Sequence, residues 1–429
     1  MFNLQILQPL RDKLNCNAFI CSHKINDVAV TRDCILKFPV LIFFMMNMIK
    51  GALQRELDLY FQALKGSDVA FRAITKSAFS AARQKIKWTA FIELNNDLIQ
   101  RWLRAFSVKR WHGLNLYAID GSTLRLPDNP DVIASFGQMF PDKGPPVTMA
   151  RISQLFDPLN GLIHDALIGP YCLNERDLLY QHLDSIASGS LLLLDRGYPA
   201  FWVFAALNAR SIHWCARMPS GWSVVDNFLA AGKEDAVVTL TASNKMIKEC
   251  KARHIKATPL RVRLIRVLLS SGEVEVLATS LRDHEEYSHF QFKALYNLRW
   301  PIEESYKRQK SRIEIDNWTG RSELTIRQDY HAKVLTMNIT VMLASFAQEN
   351  VEIAHHNDMH PKQVNITHAL SVIKHAIVKI ITCLSPISIL RAIIDNISKT
   401  IEPVRSNRSN PRKVGTCTRR RKECYKSCA

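Results

Sequence analysis

The sequence predicts a mixed α/β protein with a helical amino-terminal region. Three observations carry that expectation. Up to about residue 110, stretches such as GALQRELDLYFQAL and FIELNNDLIQRWLRAF place apolar residues three and four apart, the period of an amphipathic helix. Near residue 113 short apolar or alternating runs take over: LNLYAID, STLRLP, ARISQLFD and GLIHDALIG read as strands. Helical segments such as NERDLLYQHLDSIA lie between such runs, so helices and strands share one core.

The elements follow in order. The most apolar run, FPVLIFFMMNMI from Phe38 to Ile49, is too short to span a bilayer and reads as a buried core helix. TKSAFSAARQKIKWTAF holds a short helix, Ser77 to Ile86, whose Arg83 and Lys85 give it a basic character suited either to DNA or to solvent. DPLNG links two strands as a hairpin turn. GSLLLLDRGYPAFWVFAAL is an apolar strand that stops at Asp195 and hands over to a helix. From about Ser211 to Thr279, DAVVTLTA, LRVRLIRVLL and EVEVLATSL form a β-rich insertion with a basic face of Arg261, Arg263 and Arg266. Helices resume near Asp283 and continue to about Ser398. The expected divisions are 1–110, a helical region holding the basic helix; 111–210, the first part of the α/β core; 211–282, the β-rich insertion; 283–350, the closing helices of the core; and 351–429, a helical region ending in a basic tail.

Composition narrows the partners. In 429 residues, 57 Lys and Arg against 39 Asp and Glu leave a net charge of +18, which points to a polyanion and to nucleic acid before a membrane. From Pro403 onward nine basic residues face Glu423 alone, a tail suited to phosphates. The amino terminus lacks the pattern of a secretory signal, and ten cysteines form no paired framework, so an intracellular protein with reduced thiols is expected. Cys417, Cys424 and Cys428 cluster in the tail, but without a CxxC pair they argue against zinc. AHHNDMH, residues 354 to 360, precedes Pro361 and reads as a solvated turn.

Three acids stand where chemistry is usually placed. Asp120 follows LYAI and Asp195 follows LLLL, each at the carboxyl end of an apolar strand. Glu303 lies in the helical stretch LYNLRWPIEESYKRQKSRIEIDNW. Carboxylates held close repel one another unless divalent cations neutralise them, and Mg²⁺ prefers such oxygen ligands. Two such ions about 3.5–4 Å apart activate a nucleophile and steady the leaving oxygen in attack on a phosphodiester. At ~100° per residue, Tyr296, Arg299, Glu303 and Lys310 fall within an arc of roughly 60°, strictly only beyond Pro301, which either kinks the helix or begins a new one. A solvated face held by Glu–Lys pairs is the plain alternative for such a helix.

AIDGST, LLLLDRGY and the spacing Tyr-x2-Arg-x3-Glu-x6-Lys together resemble the DDE transposases of bacterial insertion sequences, in the insertion-sequence-four family with its YREK signature. The resemblance implies a ribonuclease H-like catalytic core with a β-rich insertion between the second Asp and the Glu. It implies Asp120, Asp195 and Glu303 as catalytic and metal-binding residues for two Mg²⁺ ions, with Mn²⁺ as a substitute. Tyr296, Arg299 and Lys310 would bind the transposon end. Apart from the resemblance, Arg196 and Tyr198, next to the second Asp, suit either a phosphate contact or the capping of the turn, and the Arg83 and Lys85 helix suits either DNA or solvent. The activity implied is Mg-dependent DNA strand cleavage and strand transfer by a homodimer on double-stranded DNA, through a hairpin intermediate, in the bacterial cytoplasm at the nucleoid. A nuclease that does not join strands and an inactive end-binding repressor are the competing readings.

Overall fold

The computed structural model describes residues 7–26, 35–269, 271–382 and 386–404. The basic tail beyond residue 404, with Cys417, Cys424 and Cys428, lies outside them. The chain divides into two compact units, one of Met1–Ala105, Arg125–Thr148 and Arg308–Ala429, the other of Phe106–Leu124 and Met149–Lys307. Amino- and carboxyl-terminal helices therefore share the first unit.

The first unit is built around a long helix, Glu323–Ala354, started by a capping box between Ser322 and Thr325. Helices Phe38–Met46, Thr89–Ala105, Ile366–Thr382 and Pro386–Ser398 pack on it. The Phe38–Met46 helix is apolar all round and buried on nearly every side, as its composition requires. No helix among the described residues is long and apolar enough to cross a membrane. The stretch after Ala354 is an exposed turn, as its sequence predicts.

The Lys76–Arg83 helix, capped by Thr75, corrects the expectation for Arg83. That side chain is only 1% exposed, and it donates 2.7 Å to Asp329 Oδ1, 2.8 Å to Gln328 Oε1 and 3.1 Å to the Thr325 carbonyl. A guanidinium so enclosed is a structural ion pair and has no face left for phosphate. Lys85, in the turn that follows, is exposed. Removing one partner leaves the other charge buried and uncompensated, at a cost of about 3–5 kcal/mol. Arg83→Ala should therefore lower the melting temperature by about 10 °C, whereas Arg83→Met with Asp329→Leu should recover most of the loss in the same thermal scan. A melting point unchanged in Arg83→Ala would rule out a structural role for the pair.

The sheet is formed by β1 (Leu116–Arg125), β2 (Gln138–Met139), β3 (Val147–Asp157), β4 (Leu162–Pro170), β5 (Leu191–Leu194), β6 (His213–Arg217), β7 (Asp235–Leu240), β8 (Leu260–Leu268) and β9 (Val274–Thr279). Its order is β2-β3-β1-β5-β6-β9-β8-β7, with β4 paired to β3 through the DPLNG hairpin. β5 runs parallel to β1, and β6 parallel to β5. The insertion strands extend this sheet antiparallel from β6. Helix Phe201–Ala209, again apolar all round, is buried in the second unit's core, where Phe204 stacks on Trp214 at 3.9 Å.

Two local expectations change. LNLYAID and STLRLP form one ten-residue strand, so Asp120 lies inside β1 and not at its end. β5 is only four residues long, so Asp120 stands just past the point where β1 loses that neighbour. The expected basic face of the insertion also loses a member, because Arg263 is buried. It pairs with Asp235 at 2.6 Å and donates 2.7 Å to the Tyr287 carbonyl, which leaves Arg261 and Arg266 exposed.

Candidate active site

Strand register brings the two aspartates together. Leu116 pairs with Leu191, Tyr117 with Leu192 and Ala118 with Leu193, and two further steps in the same register make Asp120 level with Asp195. Residues level on neighbouring parallel strands point to the same side, with strands about 4.8 Å apart. Four consecutive buried leucines drive β5 into the core and release the chain at Asp195, where burial ends.

The third acid comes from a different element. Pro301 begins a new helix, as one of the two sequence alternatives requires: Gln291–Asn297 is one helix, Trp300–Arg308 the next, and Arg299 lies on the link. Glu303 is in the first turn of the second helix. Tyr306, one turn on, donates 2.8 Å from its hydroxyl to the Asp120 carbonyl and ties this helix to β1. A regular projection does not reach Lys310, because Gln309–Ile313 is a π-helical turn. Lys310 is half-buried and belongs to the first unit.

Tyr296 and Arg299 are turned toward the acids. The Tyr296 hydroxyl reaches Asp195 Oδ1 at 3.3 Å, and the Arg299 guanidinium donates 2.7 Å to Glu303 Oε1. Only 7% and 5% exposed, they are inner residues of the site, unlike Arg196, which is exposed. Tyr198 is buried, so of the two residues expected to touch phosphate beside Asp195 only Arg196 has an exposed side chain.

The electrostatics bind these groups into one site. Burial first, then Glu303 and Asp195, push the Asp120 carboxyl up to about 6, against the opposing effects of Arg299 and the Gly121 N–H. Burial works against the charged Arg299 guanidinium, but Tyr296, Glu303 and Asp195 outweigh it and hold the group above its ordinary value. A buried carboxylate raised by two neighbours is the kind of donor set that a hard divalent cation relieves. Among the described residues, however, no three acidic, His or Cys side chains are already gathered as a metal cage. In this arrangement Arg299 is the counter-ion of Glu303.

Sequence reasoning missed three residues here: Tyr306, Glu175 and the packing of Tyr198. Tyr306 lies three residues past Glu303, hence on the same helix face. For Glu175 the signal lies in Gly121 and Gly197, small residues just after each aspartate that mark a close approach.

The family model described as the transposase DDE domain matches residues 111–339, more than half of the chain. The chain belongs to that family. The matched segment contains both aspartates, Glu303, Tyr296, Arg299 and Lys310. Among curated relatives, the transposase InsG for insertion sequence element IS4 of Escherichia coli (strain K12) is 28% identical over 261 residues, covering 59% of this chain and 56% of InsG. InsZ of the same organism is 23% identical over 174 residues, covering 38% of this chain and 56% of InsZ. The chain thus matches little more than half the length of either relative. A piggyBac transposase synaptic complex with hairpin DNA, solved by cryo-electron microscopy, aligns over 92% of this chain and 86% of its own at 9% identity, with a TM-score of 0.45, too low to assign a fold by.

Proposed function

We propose that the chain is a DNA transposase that cleaves the ends of an insertion sequence and joins them to target DNA. One observation carries the reading: Asp120 and Asp195 are level on adjacent parallel strands, and Glu303 acts on the same buried carboxyl. A sheet with a hairpin beyond β1 on one side and two parallel strands on the other, one acid on β1 and the next just past β5, supports a ribonuclease H-like core whose insertion continues the sheet.

Asp120, Asp195 and Glu303 would hold two Mg²⁺ ions, with Mn²⁺ as a substitute. When bound, such ions neutralise the carboxylates, ease deprotonation of the attacking water or 3′-hydroxyl and stabilise the leaving oxygen. The residues of the chain do the rest. Tyr296 holds Asp195 in place, Tyr306 anchors the strand at Asp120, and Arg299 balances the charge of Glu303. Glu303 would join the aspartates at the metal, and any contact with Arg299 that it gives up would free that guanidinium for a DNA phosphate. Arg196, Lys310 and Lys85 supply further backbone contacts, which fix position and leave sequence unread. Two copies acting on two ends, a hairpin intermediate and action at the bacterial nucleoid complete the reading.

The test is an assay with a labelled insertion-sequence end, a second duplex and Mg²⁺. Transfer of the cleaved 3′ ends into the second duplex is the expected outcome. Cleavage without transfer would make the chain a nuclease, and binding without cleavage an end-binding repressor.

A further inference from the structure

We propose that Glu175 is a positioning residue that sets the spacing of Asp120 and Asp195 by packing across the two glycines that follow them. Glu175 opens the Glu175–His182 helix, which Asn174 caps. A Cβ at Gly121 would lie 3.1 Å from its Oε1 and 3.2 Å from its Cγ, and a Cβ at Gly197 would lie 3.4 Å from its Oε2. One carboxylate therefore lies beside the chain immediately after Asp120 and two residues after Asp195. At Gly121 a side chain would crowd it by a few tenths of an ångström, and at Gly197 a Cβ would just meet it.

The wedge is itself held. Arg151 donates 3.3 Å to Glu175 Oε1 and 3.3 Å to the Tyr171 carbonyl, while its guanidinium lies over the Tyr171 ring. Arg176, the next residue of the helix, donates 3.0 Å to the Gly197 carbonyl and grips the same turn. A second observation places Glu175 among the acids. Among the described residues the Tyr198 hydroxyl is buried without a hydrogen-bond partner, and after burial the groups acting on it are Asp120, Glu175 and Asp195, opposed by Arg299. Glu175 is thus one of three carboxylates around one buried point, and it is paired with Arg151.

Such a residue acts through the shape of the site. If it fixes how far apart the two aspartates stand, its loss should weaken cation binding without removing a ligand, and outer-shell losses of this kind typically amount to about 10–100-fold in metal affinity. The proposal rests on the metal-binding reading of Asp120 and Asp195, so binding is measured directly, by calorimetric titration of the full chain with Mg²⁺ and with Mn²⁺. Glu175→Ala should weaken binding by about tenfold or more, and Glu175→Gln, which keeps the wedge, should stay within about threefold of the parent. Gly121→Ala, whose Cβ presses on Glu175, should weaken binding too, and adding Glu175→Ala to it should cost little more, because both act on one contact.

Three results would overturn the proposal: parental affinity in Glu175→Ala, equal loss in Glu175→Gln and Glu175→Ala, or strictly additive effects of Gly121→Ala and Glu175→Ala. Equal loss would make Glu175 a direct ligand. A parent chain that binds neither ion would instead remove the metal reading beneath it. Melting temperatures taken alongside identify any variant that has lost its fold, in which case Glu175→Gln and Gly121→Ala decide the outcome.

Discussion

Asp120→Ala, Asp195→Ala and Glu303→Ala should each abolish cleavage of an insertion-sequence end in Mg²⁺ while leaving DNA affinity within a few-fold of the parent. The reason is a separation of tasks between two kinds of charge. Metal-assisted stabilisation of a phosphodiester transition state is worth several kcal/mol, about a thousandfold or more in rate, and depends on the full donor set. Affinity for the duplex depends on the number of phosphates met by Lys and Arg, and an acid-to-alanine change removes none of these. Asp120 and Asp195 should be the more severe losses, since their strands fix them level with each other, whereas Glu303 arrives on a separate helix and already has Arg299 as a partner. The measurement is initial cleavage rate beside binding of the same labelled end. Turnover at the parental rate by any of the three would sink its assignment. Weakened binding equal to the loss of cleavage would show that the acids support the fold and not the chemistry.

How much of this was legible in the sequence depends on the range over which each signal acts. The acids were legible because a run such as LLLL before Asp195 is a local signal: four leucines bury a strand and the first charged residue must leave it. The hairpin around DPLNG and the helix after Tyr198 were legible for the same reason. The end of β1 was not, because a strand stops in sequence only where its own pattern stops, and Asp120 loses its neighbouring strand through the shortness of β5, some 70 residues on. Arg83 and Arg263 were misread on one physical ground. An arginine and its carboxylate partner are separated by 246 and 28 residues respectively, and no local pattern distinguishes a cation that will meet Asp329 or Asp235 from one that will face solvent. Glu175 was hidden differently. An acid after Asn174 in a first helical turn is already explained by capping and the helix dipole, so its own surroundings ask for no second role, and the only hint is the distant pair Gly121 and Gly197.

The second large effect concerns Arg299. Arg299→Ala should reduce cleavage of an insertion-sequence end by about a hundredfold while reducing binding by only a few-fold, because a misplaced scissile phosphate loses in-line geometry even when the remaining interface holds. The site gives this expectation a second cause. Arg299 is the group that holds the Asp120 carboxyl down against burial and against Glu303 and Asp195, so its removal leaves Asp120 more prone to take up a proton. The loss should therefore be partly offset by raising Mg²⁺, a response that an arginine acting on phosphate alone would not give. Lys310→Ala should also spare binding more than cleavage, but without that metal response. Lys307 is the control. It lies four residues from Glu303, ~40° further round the same helix, and its exposed side chain pairs with Glu304. Alanine there should leave both cleavage and binding near parental values, as is usual for an exposed pair. Rates and affinities for the three variants across a series of Mg²⁺ concentrations decide the matter. If Lys307→Ala were as damaging as Arg299→Ala, the helix would be a generally basic face and the spacing of the four residues would carry no specific chemistry.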